Sequence, residues 1–209
     1  MQKKFLKLFS TIFFISFIFL NKIYSSEKNY INDINPFNED GTVNAFIEIP
    51  AGSNEKWEVS RDGKDFSQKV NKDGPRVIDY LPYPFNYGFI PQTLIPLKEG
   101  GDGDALDIIV IGPNLKRGSV VKAKPIGAVE MLDKGEIDTK IISLSINDLG
   151  ISYSNSIDDL NRDYIGVMEI IKVWLENYKG SEVKILNISG KNRALEYIKT
   201  FHSKFLSQK

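Results

Sequence analysis

The chain of 209 residues has no cysteine and a single histidine, His202. Without cysteine there can be no disulfide, no thiolate metal site and no thiol nucleophile. The histidine, near the end of an expected C-terminal helix, reads as a surface residue, so a metal site here has to be built from oxygen ligands. Oxygen donors favour Mg²⁺, Mn²⁺ or Ca²⁺ over Zn²⁺. Net charge is also missing: 27 basic and 27 acidic side chains balance. A balanced chain carries no electrostatic footprint for nucleic acid or for an anionic membrane surface. Internal repeats and low-complexity tracts are absent, and with 42% hydrophobic and 26% charged residues the chain can build a core as one domain.

Only one stretch is apolar enough to raise a membrane question. Lys3, Lys4 and Lys7 precede the uncharged run FSTIFFISFIFL, a basic start and short apolar core of the kind that directs secretion. We expect residues 1–26 to be an export signal, with an uncleaved anchor through residues 5–20 as the alternative, and residues 27–209 to be the folded domain, exported to the periplasm or secreted. Removing residues 1–26 takes four lysines and no acid, leaving a mildly acidic domain of 23 basic and 27 acidic side chains.

The domain reads as strands first and helices later. TVNAFIEIP (42–50) alternates as a half-buried strand would and stops at Pro50. Further strands are expected at 54–60, 76–80, 105–112, 119–131 and 140–146. Glycine and proline punctuate them at short intervals, which favours an antiparallel barrel or sandwich over alternating strand–helix units. Two helices follow. The first, 156–180, places Leu160, Tyr164, Val167, Met168, Ile171, Trp174, Leu175 and Tyr178 at helical spacing, with Ser156 and Asp159 as a capping box and Gly180 as its stop. The second covers 192–209.

Against this background the polar clusters stand out. GDGDALDIIVIG (101–112) crowds Asp102, Asp104 and Asp107 at the mouth of a buried strand. A turn is the plain reading, and an EF-hand fails because Leu106, Asp107 and Pro113 stand where an oxygen ligand, Gly and Glu are required. A second acidic pair, Asp133 and Asp138, is followed by Lys140; PYPFNYGFIP (82–91) stiffens a loop around Tyr83 and Tyr87; Arg76 precedes that loop; Tyr178 and Lys179 end the first helix. Aspartates, cations and phenols without a Cys, His or Ser nucleophile suit phosphate chemistry with hard metal ions: carboxylates hold metals, cations clamp phosphate oxygens and hydroxyls donate hydrogen bonds.

Taken in order, these motifs resemble the soluble family I inorganic pyrophosphatases over roughly residues 46–179. EIPAGSNEKWE matches the family's first active-site strands at Glu48, Lys56 and Glu58, YPFNYGFIPQT its tyrosine loop, and DGDALD its D-x-D-P-x-D signature, departing at Ala105. DKGEIDTK supplies the second acidic pair with Lys140, and NYK the final Tyr178 and Lys179. The resemblance implies an α+β fold: a small closed antiparallel OB-like β-barrel with two C-terminal helices packed outside. It implies hydrolysis of pyrophosphate to two phosphates by in-line attack of water, with several Mg²⁺ ions per site (Mn²⁺ as the alternative) held by Asp102, Asp107, Asp133 and Asp138. Asp104 would be the general base. Lys56, Arg76, Tyr87, Lys140, Tyr178 and Lys179 would bind the phosphates, supported by Glu48, Glu58 and Tyr83. It also implies a homo-oligomer. Two rivals from other classes are an OB-like nucleic-acid module, disfavoured by the acidic groove, and a catalytically inert Ca²⁺ or phosphate binder.

Overall fold

The computed structural model describes residues 28–147 and 150–208, so the expected export segment lies outside the described residues. Eleven strands precede or interleave with three helices among those residues. The strands are β1 (Val43–Ile49), β2 (Trp57–Val59), β3 (Phe66–Gln68), β4 (Val70–Asn71), β5 (Gly74–Pro75), β6 (Asn86–Phe89), β7 (Asp107–Ile111), β8 (Val120–Asp133), β9 (Glu136–Ile137), β10 (Lys140–Ser145) and β11 (Val183–Gly190). The helices are α1 (Ile157–Asp163), α2 (Val167–Asn177) and α3 (Lys191–Leu206). The main sheet runs β1-β6-β7-β10-β8-β11, with β9 on β8 and a further pairing of β1 with β8. It is mixed rather than wholly antiparallel, because β7 and β10 pair in parallel.

The sheet is buried on both faces. Along β7, Ile108 and Val110 point into a cluster closed by Ala194, Ile198 and Phe201 of α3. Their neighbours Ile109 and Ile111 join the opposite cluster, which holds Met168, Ile171, Trp174 and Leu175 of α2. An unbroken apolar strand is what covering both faces requires. β1 corrects the half-buried expectation for the same reason. Phe46, on its supposedly polar face, is buried against Ile34 and Phe89, with Tyr30 and Ile31 packed beside them. Residues 28–37 supply that cover.

Further expectations change. The single helix 156–180 is two helices: Gly166 sits at φ 88° and starts α2, a conformation that the helix cannot run through. Ser156 does cap α1, accepting from the Asp159 amide at 3.0 Å. Asp159 returns its carboxylate to the Asn155 amide at 3.0 Å instead of closing the box on Ser156. The expected strand at 76–80 shrinks to one bridge between Val77 and Glu55. β11, unread in the sequence, forms from the β-branched run Val183, Ile185, Ile188 and extends the sheet along β8. His202 is half-buried, its Nδ1 2.7 Å from the Gln92 carbonyl oxygen, and its ring packs edge-on to Phe37.

Candidate active site

Local backbone devices aim the acidic side chains into one place. Glu48 occupies a bulge where the β1–β6 register slips between Ile47 and Ile49. An extra residue of this kind re-aims its side chain, and Glu48 accepts the Val59 amide at 2.7 Å. The strands approach so closely there that a Cβ on Gly88 would stand 1.8 Å from the Phe46 carbonyl oxygen. In the acidic loop, Asp104 donates its amide to Asp102 Oδ1 at 2.9 Å. Gly103 at φ 82° turns the chain between them, and β7 begins at Asp107. Across β8 and β9, Lys134 and Gly135 at φ 52° and 89° form a two-residue turn. It sets Asp133 at the end of β8 opposite Glu136. Asp138 follows, tied by its amide to the Met131 carbonyl at 3.0 Å.

The loop at 82–91 is clamped from the helix side. Trp174 donates to the Leu81 carbonyl at 2.9 Å, and its ring stacks on Tyr178 at 4.4 Å with planes 14° apart. Tyr83, 2% exposed, packs on Trp174 at 4.4 Å and on Tyr87 at 5.4 Å. This aromatic stack fixes Tyr87 from one side and delivers Tyr178 and Lys179 from the other.

An open cleft of about 770 Å³ results. Thirteen of the fourteen residues expected to form the site line it: Glu48, Lys56, Glu58, Arg76, Tyr87, Asp102, Asp104, Asp107, Asp133, Asp138, Lys140, Tyr178 and Lys179. Tyr83 alone stands behind the wall, as a supporting residue would. Arg61 and Lys69 also line the cleft, and neither was singled out in the sequence. The β2–β3 turn carries Arg61, whose Nε lies 2.9 Å from Asp104 Oδ1. Lys69 reaches Glu58 at 2.7 Å, which also holds Lys56 at 3.1 Å. A basic residue closely following the Lys56–Glu58 motif was the one available signal.

At the centre is Lys140. Parallel pairing sets it beside Asp107, and its Nζ contacts Asp107 Oδ2 at 2.7 Å, Asp138 Oδ1 at 2.8 Å and the Tyr87 hydroxyl oxygen at 2.9 Å. Tyr87 also donates to Asp107, and Lys179 donates to Asp133. Burial works against the Lys140 ammonium, but Asp107 and Asp138 outweigh it and raise its pKa well above the ordinary lysine value. The reverse holds for Asp138, where burial is outweighed by Lys140 and the carboxyl falls below its ordinary range. Glu48, 6% exposed, is pushed up to about 7 by burial against the pull of Lys56. Asp102 rises to about 6, again by burial, opposed by the Asp104 amide.

Among the described residues no three acidic or histidine side chains converge as an ion cage; the Lys140 ammonium sits between Asp107 and Asp138, and that of Lys179 is on Asp133. The donor set nevertheless suits a hard cation. Asp133 Oδ1 is buried without a hydrogen-bond partner, an acceptor that only a cation or ordered water could satisfy. All the donors are carboxylate oxygens.

Comparison with known proteins follows the same residues. A family model described as inorganic pyrophosphatase matches residues 45–206. An inorganic pyrophosphatase of Nanoarchaeum equitans is 38% identical over 171 residues, 79% of this chain and 99% of that protein. Soluble inorganic pyrophosphatase 6 of Arabidopsis thaliana chloroplasts is 33% identical over 162 residues, 72% of this chain; the chain spans 54% of that relative's length. The crystal structure of type I inorganic pyrophosphatase from Toxoplasma gondii superposes with a TM-score of 0.81 at 28% identity, covering 87% of this chain and 88% of that one.

Proposed function

The chain belongs to the inorganic pyrophosphatase family, and from that premise we propose that it hydrolyses pyrophosphate to two phosphates with the help of divalent cations. The observation that carries this reading is the cleft itself, where carboxylates and cations from distant parts of the sequence share one wall. Lys56, Arg76, Lys140 and Lys179 offer positive charge to phosphate oxygens, and Tyr87 and Tyr178 offer hydroxyl donors. The scissile bond runs from one phosphorus to the bridging oxygen. Water forms the new P–O bond on the far side, and the electron pair of the broken bond leaves with the second phosphate. Asp104 takes the water's proton on a carboxylate oxygen. With one oxygen on Arg61, it keeps Oδ2 for that purpose. No covalent intermediate is needed: no Cys or His lines the cleft, and the hydroxyl of its one serine, Ser60, donates to the Asp62 carboxylate.

Asp102, Asp107, Asp133 and Asp138 would hold the cations, Mg²⁺ first and Mn²⁺ as the alternative. When bound, such ions neutralise phosphate charge and make water acidic enough to attack near neutral pH. Lys140 now pairs with Asp107 and Asp138, and Lys179 with Asp133, so ions held by these carboxylates would leave both ammonium groups free for phosphate oxygens. Glu48 and Glu58 hold the Val59 amide and Lys56, respectively, and so support the wall.

Three finer readings accompany this proposal. We read the main sheet as a closed OB-like barrel, since β1 pairs with both β6 and β8 and the circuit through β7 and β10 returns to its start. We take the protein to be a homo-oligomer, as the family resemblance implies, and residues 1–26 to be an export signal or anchor. Sizing the purified protein and sequencing the mature N-terminus test the last two. The activity is tested by measuring phosphate released from pyrophosphate with Mg²⁺ and with a chelator. Release that needs Mg²⁺ supports the proposal, and no release with Mg²⁺ rejects it.

A further inference from the structure

Resting on that reading of the cleft, we propose that Arg61 is a positioning residue that holds Asp104 in place, and that the segment before the family-matched region holds Arg61 through Asn29. Arg61 makes two contacts to the acidic loop: Nε to Asp104 Oδ1 at 2.9 Å and Nη2 to the Asp102 carbonyl oxygen at 3.0 Å. Both partners are exposed, 71% for the Arg61 side chain and 51% for Asp104. Exposed pairs contribute little to stability, so the fork is not explained as a brace for the fold. Its geometry does something else. It ties one oxygen of Asp104 and the backbone two residues earlier to a single planar group, which fixes the direction of the other oxygen. Orientation of a reacting group is worth large factors in rate.

Arg61 is itself held by residues that precede the stretch matched by the family model. Its turn is closed internally by Ser60 Oγ donating to Asp62 Oδ1 at 2.6 Å and by the Asp65 amide donating to Ser60 Oγ at 2.9 Å. Asn29 then clamps the tip. Its Nδ2 donates to the Asp62 carbonyl at 2.6 Å, and the Tyr30 amide donates to the Gly63 carbonyl at 2.8 Å. The contact is close, since a Cβ on Gly63 would stand 2.2 Å from Asn29 Oδ1. Tyr30 packs on Phe46 and Phe66 with ring centres 5.0 and 6.3 Å away. The Gln92 amide donates to the Ile31 carbonyl at 2.9 Å, and Ile31 and Asn32 form part of the cleft wall. Residues 28–37, which precede the matched stretch 45–206, thus act as a strap that ties the N-terminal segment to the reacting carboxylate.

The test uses Arg61→Ala, Arg61→Lys, Asn29→Ala and the double variant Asn29→Ala/Arg61→Ala, each checked by melting to be folded. The first readout is hydrogen exchange at the Asp104 amide, which does not depend on turnover; the second is kcat and KM for pyrophosphate with Mg²⁺. Arg61→Ala should speed exchange and lower kcat by about ten- to a hundredfold with KM little changed, the scale of a misplaced reacting group. Arg61→Lys should recover part of the loss. Asn29→Ala should shift both readouts the same way by less, and the double variant should be no worse than Arg61→Ala. Unchanged exchange in both single variants, a KM rise at constant kcat, or additive losses in the double variant would each overturn the inference. Wild-type protein inert on pyrophosphate would instead reject the proposed activity, and the exchange data would still decide between a working strap and an idle one.

Discussion

Lys140→Met offers a quantitative perturbation of the site. The lysine is 1% exposed and its ammonium lies 2.7 and 2.8 Å from Asp107 and Asp138. Methionine fills much the same volume but leaves two close carboxylates without their counter-ion. Removing one partner of a buried ion pair costs about 3–5 kcal/mol. At about 2–4 °C per kcal/mol for a domain of this size, the melting temperature without divalent cations should drop by roughly 6–20 °C. The pH window follows from the two shifts. The pKa of Lys140 is raised in the folded state, so its contribution is complete below the unfolded lysine value of about 10.4 and is lost as pH climbs through the folded value. That of Asp138 is lowered, so its contribution is complete above about 3.9 and is lost as pH falls through the folded value. In the variant the burial of Asp138 is no longer outweighed by Lys140, so its carboxyl should rise above its ordinary range and the penalty should shrink as pH falls from neutrality. Mg²⁺ should stabilise the variant more than the wild type, because the ion no longer competes with an ammonium for Asp107 and Asp138. Thermal melts with a chelator and across a Mg²⁺ series measure both effects. A variant as stable as wild type in chelator, or one gaining no more than wild type from Mg²⁺, would refute the idea that Lys140 stands in for a cation.

Other perturbations probe the surrounding devices. Glu48→Gln should become more stable relative to wild type as pH rises from about 4.5 to 7, by up to about 3 kcal/mol, because the buried carboxyl has its pKa raised to about 7 and ionising it costs folding energy; a pH-independent difference in denaturant midpoint contradicts this. Gly88→Ala must force Phe46 away from its carbonyl contact, and should cost roughly 4 kcal/mol or more while displacing Glu48. An unaltered melting curve would mean that the strands can part there freely. Asp107→Ala should lose most of the Mg²⁺-dependent rise in melting temperature, whereas an unchanged response would reduce the acidic loop to a turn.

The site was more legible than the fold around it. Aspartate spacing, the tyrosine loop and Lys140 are local patterns, and the strands bring them together as those patterns require. What escaped was set by partners distant in sequence. Residues 28–37 look like an unremarkable polar lead-in until Phe46 and Phe89 are seen to need cover, and β1 seemed half-exposed for the same reason. Arg61 matters only because a turn at 60–65 meets a loop at 102–104, a contact with no signature in either segment. Gly166 was visible, but its weight against the apolar spacing of Leu160 to Tyr178 depended on tertiary packing. β11 was bordered by helices, and only its pairing with β8 makes it a strand.

The division of labour in the acidic loop, with Asp104 as the base and Asp102 and Asp107 holding cations, is tested most directly by hydrolysis rate against Mg²⁺ concentration for Asp104→Asn and Asp102→Asn. Asp104→Asn should keep the fold and most Mg²⁺ affinity yet lower the saturated rate by roughly 10²–10⁴-fold, the range of a lost general base. Asp102→Asn should instead move the curve to higher Mg²⁺. If Asp104→Asn regains the full wild-type rate at saturating Mg²⁺, then Asp104 is a metal ligand, and the assignment of the base is wrong.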